Sequence, residues 1–281
     1  MEKDIAIITL HGMGKNKKDY ANGIREELAD DLGKESWAQI HFESIFYQDI
    51  LQPNQDRVMK EMKKDEIDWI TLREFLLFGF SDAAGLERNA GEKNSPYKQA
   101  QEKIFNALDR SFSALGSKFK PVVIVAQSLG CQVISNYIWD SQKVKANTGV
   151  WKDGQPDDEP KGSPKDRFRR LKSLRFLFST GCNIPVFVAG FSKDQIKAIS
   201  TSGKGYNFSW HNFYDRDDAL GWPLKPLSPS YKKAIFEDRE INAGGGFFKS
   251  IVTGWNPFSH GNYWEDGDFI KPLSKKINSL L

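Results

Sequence analysis

The stretch VVIVAQSLGCQVISNYI, from Val122 to Ile138, joins an apolar, β-branched run to a helical pattern, with a serine between them. A serine at the tip of a sharp strand-to-helix turn can act as a nucleophile when the residues two before and two after it are small. Ala126 and Gly130 take those positions around Ser128. Alanine departs from the usual glycine but keeps the side chain small. We therefore predict that Ser128 is a nucleophile, and the alternative is a serine that caps the helix.

A hydroxyl that attacks a carbonyl creates an oxyanion, which needs hydrogen-bond donors. HGMG, residues 11–14, follows the first apolar run of the chain, so a glycine-containing turn there would aim the Met13 N–H toward Ser128. The N–H of Leu129 would be the second donor. We interpret His11 as a structural residue of this loop and not as a base.

A sheet must position these residues, and the apolar runs indicate one. Runs rich in Val, Ile and Phe alternate with helical or polar stretches, which is typical of βαβ units and of a parallel sheet covered on both faces. The predicted strands are Ile5 to Leu10, Ile40 to Tyr47, Val122 to Ala126, Leu174 to Phe178 and Phe208 to Tyr214. Amphipathic patterns predict helices that end at Gly33 and Gly116, and a closing helix from about residue 268 to residue 281. The predicted fold class is α/β, with a doubly wound, mostly parallel sheet.

The alternation is interrupted within what we expect to be a single domain of residues 1–281. The predicted insertions are residues 53–90, 144–172 and 184–206. The second is crowded with Pro, Gly and charge, so we expect a mobile excursion that adds nothing to the core. In the first, Trp69, Leu72, Leu76 and Phe80 share one helical face. Core packing is the plainer interpretation of that face, and a lid over an apolar site is the alternative.

HGMG, AQSLG and the order of elements together resemble the α/β-hydrolase superfamily, in particular its lipase- and esterase-like serine hydrolases. The resemblance covers nearly the whole chain apart from the inserted segments. It implies an α/β-hydrolase fold with a cap near residues 184–206, where Phe187 and Phe191 would line an acyl site or the core. It also implies a triad in the chain order nucleophile, acid, histidine, with no metal or organic cofactor.

His260 is the base that this chain order implies. The sequence has four histidines, and His260 alone lies beyond every candidate acid, in the loop PFSHGNYWED before the closing helix. His211 lies inside a predicted strand, and we interpret it as structural.

The acid that the resemblance requires falls in YDRDDALGWPL, which offers Asp215, Asp217 and Asp218. In similar lipases the acid follows an Asn and a Tyr and precedes a small residue and an aliphatic residue. That arrangement is matched by Asn212, Tyr214, Asp218, Ala219 and Leu220. Asp218 is the predicted acid, and Asp217 is the alternative.

The composition limits the partners. With 40 Lys and Arg against 37 Asp and Glu, the chain has no basic stripe for a phosphate backbone, so we expect no nucleic acid partner. The N-terminus is a poor signal peptide because it lacks a basic flank and a small-residue cleavage site, which favours a cytoplasmic protein. Cys131 and Cys182 are the only cysteines, and we interpret them as buried free thiols.

The sequence therefore favours a serine hydrolase that cleaves a carboxylic ester, with lipid esters included, through an acyl-enzyme. The same residues would suit a thioester or an amide. A non-catalytic binding module on a hydrolase fold is the alternative from another class. The expected partner is a small-molecule or lipid ester, and peripheral contact with a membrane through the aromatic-rich segment Trp69 to Phe80 is a further hypothesis.

Overall fold

The computed structural model describes residues 2–65, 68–87, 90–152, 156–243 and 263–281. Its strands are β1 Ile5–Leu10, β2 Ile40–Ile45, β3 Val122–Gln127, β4 Leu174–Thr180, β5 Ser202–Gly203, β6 Tyr206–Asn207, β7 Ser209–Tyr214 and β8 Ile235–Glu240. Its α-helices are α1 Asn22–Ala38, α2 Gln52–Met62, α3 Ile70–Glu87, α4 Pro96–Ala114, α5 Leu129–Ser141, α6 Pro164–Arg169, α7 Ile184–Val188, α8 Pro229–Ala234 and α9 Gly267–Asn278. Short 3-10 helices occur at Gln48–Ile50, Lys225–Leu227 and Tyr263–Glu265.

The longer strands form a 6-stranded sheet in the order β2-β1-β3-β4-β7-β8. Every pairing described in this sheet is parallel, which confirms the predicted doubly wound sheet. The chain places β2 on one side of β1 and β3 on the other, so the winding direction reverses there. Ligands of open α/β sheets bind in the crevice at the carboxyl ends of the strands where such a reversal occurs. HGMG follows β1 and Ser128 follows β3, so both lie at this crevice.

Alternate residues of the strands face two separate cores. On β1, Ile5 and Ile7 belong to the core beneath α1 and α9, whereas Ala6 and Ile8 belong to the core beneath α4 and α5. The central strands are buried on both faces because helices cover both, which explains their continuous apolar sequences. Residue Val125 on β3 is fully buried.

The structure corrects the end of one predicted helix and adds a strand at the edge of the sheet. Gly33 has a φ of 75° and interrupts α1, but the chain returns to helical geometry as far as Ala38, whereas the sequence predicts an end at Gly33. The strand β8 is not predicted at all. Its sequence, IFEDRE, is charged because β8 is at the edge of the sheet, where one side meets solvent.

The segment 144–172 contributes to the core, so the expectation that it adds nothing there is wrong. Trp151 and Phe168 are fully buried. The guanidinium of Arg170 lies 4.1 Å from the centroid of the Trp151 ring and pairs with Asp166. The segment is rich in charged residues on average, but two of its aromatic side chains are buried in the core, and the charged Arg170 beside them is paired with Asp166.

The helix α3 exposes much of the face for which core packing is predicted, so that interpretation is wrong. Phe80 is 66% exposed, and Trp69, just before the helix, is 76% exposed. Phe78 and Leu86 are buried instead. Apolar residues occur on more than one side of α3, so periodicity alone could not identify the inner face. None of the described helices is both long and apolar enough to cross a membrane.

Candidate active site

Ser128 occupies a strained turn between β3 and α5. Its backbone has φ 49° and ψ −120°, a conformation that costs a non-glycine residue about 1–3 kcal/mol. The Ser128 N–H donates to the Thr180 carbonyl at 2.9 Å, which ties the turn to the end of β4. The serine side chain makes no capping hydrogen bond to α5, so the geometry gives no support to the capping alternative.

Two glycines allow the turn to pack against the end of β1. A Cβ at Gly130 would lie 2.6 Å from the carbonyl oxygen of His11, and a Cβ at Gly12 would lie 2.9 Å from the Cβ of Ser128. Real Cβ atoms do not approach other atoms so closely, so both positions require glycine or a backbone shift. The close approach brings the HGMG loop into contact with Ser128, as the sequence predicts.

Each predicted oxyanion donor belongs to a residue next to a part of the Ser128 turn. Leu129 begins α5, so its N–H belongs to the first turn of a helix, where amides have no intrahelical acceptor. Met13 follows Gly12, which packs on Ser128. Within the described part of the chain, the Met13 N–H has no hydrogen-bond acceptor.

His11 is buried and holds the loop as a neutral ring. Its Nε2 accepts from the Tyr47 N–H at 3.1 Å, so the proton must be on Nδ1, which donates to the Gly12 carbonyl at 2.8 Å. Burial lowers the pKa of His11 to about 4. With both nitrogens engaged, this ring is not available to accept a proton from Ser128.

The Ser128 side chain is closed off from solvent. Ser128 is 0% exposed, and its Oγ has no hydrogen-bond partner among the described residues. A buried hydroxyl without a partner is uncommon, and such groups occur at catalytic sites.

The structure distinguishes the three candidate acids by burial. Asp217 is exposed, whereas Asp215 and Asp218 are each 5% exposed. The Asp218 Oδ1 accepts from the Leu220 N–H at 2.9 Å, and its Oδ2 accepts from the Tyr263 hydroxyl at 2.8 Å. Asp218 is thus held in a fixed orientation at the end of β7.

Asp215 has different hydrogen-bond partners from those of Asp218. Its carboxylate accepts from the N–H groups of Asp217 and Ala243 at 2.8 and 2.7 Å, so it closes the loop and anchors the chain beyond β8. Burial raises the pKa of Asp215, and these two hydrogen bonds oppose that shift.

Tyr263 and Trp264 are functional-site neighbours that sequence reasoning missed. The Tyr263 hydroxyl also accepts from the Asp215 N–H at 2.9 Å, and the Trp264 Nε1–H donates to Thr180 Oγ1 at 3.0 Å. Both residues follow His260 within the stretch PFSHGNYWED, and this proximity in sequence is the signal that could have identified them. His260 itself lies outside the described residues.

His211 is bonded on both ring nitrogens within the sheet. Its Nδ1 lies 2.6 Å from Glu237 and its Nε2 lies 3.0 Å from Ser209 Oγ. Burial lowers the pKa of His211, while Glu237 raises it. The ring also stacks on Phe178, which is the environment of a structural histidine.

An apolar cleft of about 160 Å³ opens beside the HGMG loop. Its walls include Met13 from the loop, Phe80 and Ala83 from α3, Phe187 from α7, and Leu220 from the acid loop. The cleft therefore adjoins the predicted oxyanion loop and the loop that carries the candidate acids. Phe191 does not line it and is 58% exposed.

Cys131 and Cys182 are buried free thiols, as the sequence predicts. No group of three or more His, Cys, Asp or Glu side chains in the described ranges could hold a metal ion.

A strand, a strained serine and a helix thus stand at the switch point of a parallel sheet, against a glycine-rich loop from the neighbouring strand. The architecture is that of an α/β hydrolase. The fold that the sequence resemblance implies is therefore confirmed by the sheet and by this turn.

Among solved structures, this chain is similar to an acetyl xylan esterase with a TM-score of 0.43 and 12% identity, over 99% of this chain and 98% of that one. It is also similar to a lipase-esterase related protein from Clostridium acetobutylicum with a TM-score of 0.38 and 10% identity, over 99% of this chain and 95% of that one. No family model and no curated protein matches the sequence. Likenesses this distant do not bear on activity, which must be argued from the site.

Proposed function

We propose that the protein is a serine hydrolase that cleaves a carboxylic ester through an acyl-enzyme. Ser128 is the nucleophile, His260 the base and Asp218 the acid, and the N–H groups of Met13 and Leu129 form the oxyanion hole. The observation that carries the proposal is the strained turn at Ser128, locked by Gly12 and Gly130 against the HGMG loop. Strain of this kind persists only when surrounding contacts impose it, and it is concentrated at active sites.

The proposed reaction has two halves. His260 takes the proton of Ser128 as Oγ bonds to the substrate carbonyl carbon, and the carbonyl oxygen becomes an oxyanion held by the two N–H groups. The ester C–O bond then breaks, and the leaving alkoxide receives the proton from His260. Water repeats these steps on the acyl-enzyme and releases a carboxylic acid and free Ser128.

Support for the acid and the base comes from Tyr263. Its hydroxyl holds Asp218, and Trp264 next to it is bonded to the end of β4. In the sequence, His260 precedes Tyr263 by three positions. An Asp that orients the imidazole through Nδ1 leaves Nε2 free to accept the serine proton.

The cleft beside the loop indicates the substrate class. Its lining is almost entirely apolar, and it includes Met13 of the loop that packs against Ser128 through Gly12. Burial of each additional CH₂ contributes about 0.8 kcal/mol. We therefore propose an apolar acyl group, so that p-nitrophenyl esters of medium-chain acids are turned over better than the acetate.

A fluorophosphonate probe, together with hydrolysis of p-nitrophenyl esters, tests the proposal. The wild type should be labelled and active, and Ser128→Ala should lose labelling and lose several orders of magnitude in kcat. The control is Ser135→Ala, which removes a hydroxyl on the same helix and should leave both unchanged. Activity of Ser128→Ala within about tenfold of wild type would show that Ser128 is not the nucleophile.

The rivals give different results in the same assays. Folded wild type that neither reacts with the probe nor hydrolyses any ester would favour a non-catalytic binding module. A thioesterase or amidase would be labelled, but would prefer acyl thioesters or anilides to the matched oxygen esters.

A further inference from the structure

The inserted helix α3 contacts the HGMG loop through a buried carboxylate. Asp82 is 3% exposed, and its Oδ2 accepts a hydrogen bond from the Gly14 N–H at 3.0 Å. Its Oδ1 accepts from Gln55 Nε2, on α2, at 2.5 Å. A buried carboxylate is costly unless hydrogen bonds satisfy it. Asp82 therefore joins both helices of the first insertion to the loop after β1.

No cation neutralises this carboxylate among the described residues. Lys15, the residue after Gly14, pairs with Asp56 at 3.2 Å instead. Burial raises the pKa of Asp82, and the hydrogen bonds from Gln55 and Gly14 oppose that shift. The carboxylate is thus satisfied by directional N–H donors, which fix geometry more closely than a surface ion pair does.

Two further contacts hold the same loop. Asn16 Nδ2 donates to the carbonyls of Gly12 and Gly14 at 2.9 and 3.0 Å. Gly79, three residues before Asp82, lies so close to the loop that a Cβ there would be 2.8 Å from Met13 Sδ. The Gly12 and Gly14 carbonyls and the Gly14 N–H are therefore occupied, whereas the intervening Met13 N–H has no acceptor in the described part of the chain.

We propose that Asp82 is a positioning residue for the oxyanion hole, which by holding the Gly14 N–H sets the direction of the adjacent Met13 N–H. The inference rests on the proposed function. In this proposal the first insertion is part of the catalytic apparatus, because its helix α3 both lines the substrate cleft and orients the Met13 N–H. A shift of α3 would change the cleft wall and the oxyanion hole together.

Asp82→Asn tests the proposal. Gly14 and Gln55 donate to different oxygens of the carboxylate, and an asparagine would present an NH₂ to one of these donors, so it cannot keep both hydrogen bonds in this geometry. A misplacement of about 1 Å in a catalytic group can cost about 100-fold in rate. We expect kcat of the p-nitrophenyl ester to fall about 10- to 100-fold. KM should stay within about twofold, since Asp82 does not line the cleft.

A trifluoromethyl ketone inhibitor gives a readout that a purely structural role would not move. Ser128 Oγ adds to the ketone carbon, the proton passes to His260, and the ketone oxygen becomes an oxyanion in the hole. Its affinity should therefore fall in Asp82→Asn by about the same factor as kcat. Gln55→Met, which leaves Asp82 in place and removes the donor to Oδ1, should show a smaller loss of kcat at constant KM.

Asp140→Asn is the matched control. Asp140 is 1% exposed, its Oδ2 accepts from the hydroxyls of Tyr97 and Thr148 at 2.8 and 3.0 Å, and its Oδ1 pairs with Lys143 at 3.4 Å. These contacts do not include the HGMG loop. The Asp140→Asn variant should lose thermal stability and keep the wild-type kcat. Wild-type kcat and inhibitor affinity in Asp82→Asn, or equal losses of kcat in the two variants, would overturn the proposal. If Asp82→Asn does not fold, an unchanged kcat in Gln55→Met overturns it. A wild type that neither hydrolyses esters nor reacts with the fluorophosphonate shows that the proposed function itself has failed.

Discussion

Replacement of each aspartate in the loop after β7 by asparagine separates the acid of the triad from its neighbours. Asp218 is held by the Leu220 N–H and the Tyr263 hydroxyl. A hydroxyl can accept as well as donate, so an amide there can accept from Leu220 and donate to Tyr263, but it would present the wrong group to the histidine. In a triad this change lowers kcat by about 10⁴ because the imidazole takes the wrong tautomer. That loss corresponds to about 5 kcal/mol of transition-state stabilisation.

The other two variants should behave differently. Asp217 is exposed, so Asp217→Asn should keep kcat within about twofold. Asp215 accepts from the N–H groups of Asp217 and Ala243, so its amide must direct an NH₂ at one of these donors. Asp215→Asn should therefore lose about 1–3 kcal/mol of unfolding free energy and keep most of its kcat.

Steady-state hydrolysis of a p-nitrophenyl ester measures kcat in the three variants, and urea unfolding measures stability. The assignment of Asp218 fails if Asp218→Asn stays active while Asp217→Asn is crippled, which would move the acid by one position. Equal losses of kcat in Asp215→Asn and Asp218→Asn would show that the loop as a whole, and not one carboxylate, supports the reaction.

Two further predictions concern stability and surfaces. In the folded protein the pKa of His11 is lowered from 6.5 to about 4. When the pH falls below about 6.5, the unfolded chain therefore binds a proton at His11 that the folded chain does not bind. Stability is lost as the pH falls through this range. Urea unfolding should show a loss of about 2 kcal/mol from this residue between about pH 7.5 and about pH 5, with a shallower slope in His11→Asn. Trp69 and Phe80 are both exposed, and Phe80 also lines the cleft; we propose that the two side chains contact lipid surfaces. In liposome flotation, a variant with both Trp69→Ser and Phe80→Ser should float less than wild type. Equal flotation would show that these two side chains do not mediate contact with lipid.

The features that could be predicted from the sequence are local ones. The strands β1 and β3, the amphipathic helix α4 and the serine turn each follow from residues close together in the chain, where periodicity and small residues report directly on backbone geometry. Glycine at position 130 is required by the contact with the His11 carbonyl, and the pattern AQSLG already contains that information.

The contacts that orient the site could not be predicted in the same way. Asp82 meets Gly14 across 68 positions, and Tyr263 meets Asp218 across 45. No periodicity connects such pairs, because their contact depends on how the insertion and the C-terminal segment pack on the sheet. The inner face of α3 could not be predicted either, because the apolar residues of this helix are not confined to one side.

The turn at Ser128 also shows where folding and chemistry favour different residues. A serine with φ 49° and ψ −120° costs about 1–3 kcal/mol, which is a noticeable share of the roughly 5–15 kcal/mol that separates most folded domains from their unfolded chains. Glycine would adopt this backbone without that penalty, and the neighbouring positions 12 and 130 are already glycine. A chain selected for stability alone would have no reason to keep a hydroxyl there.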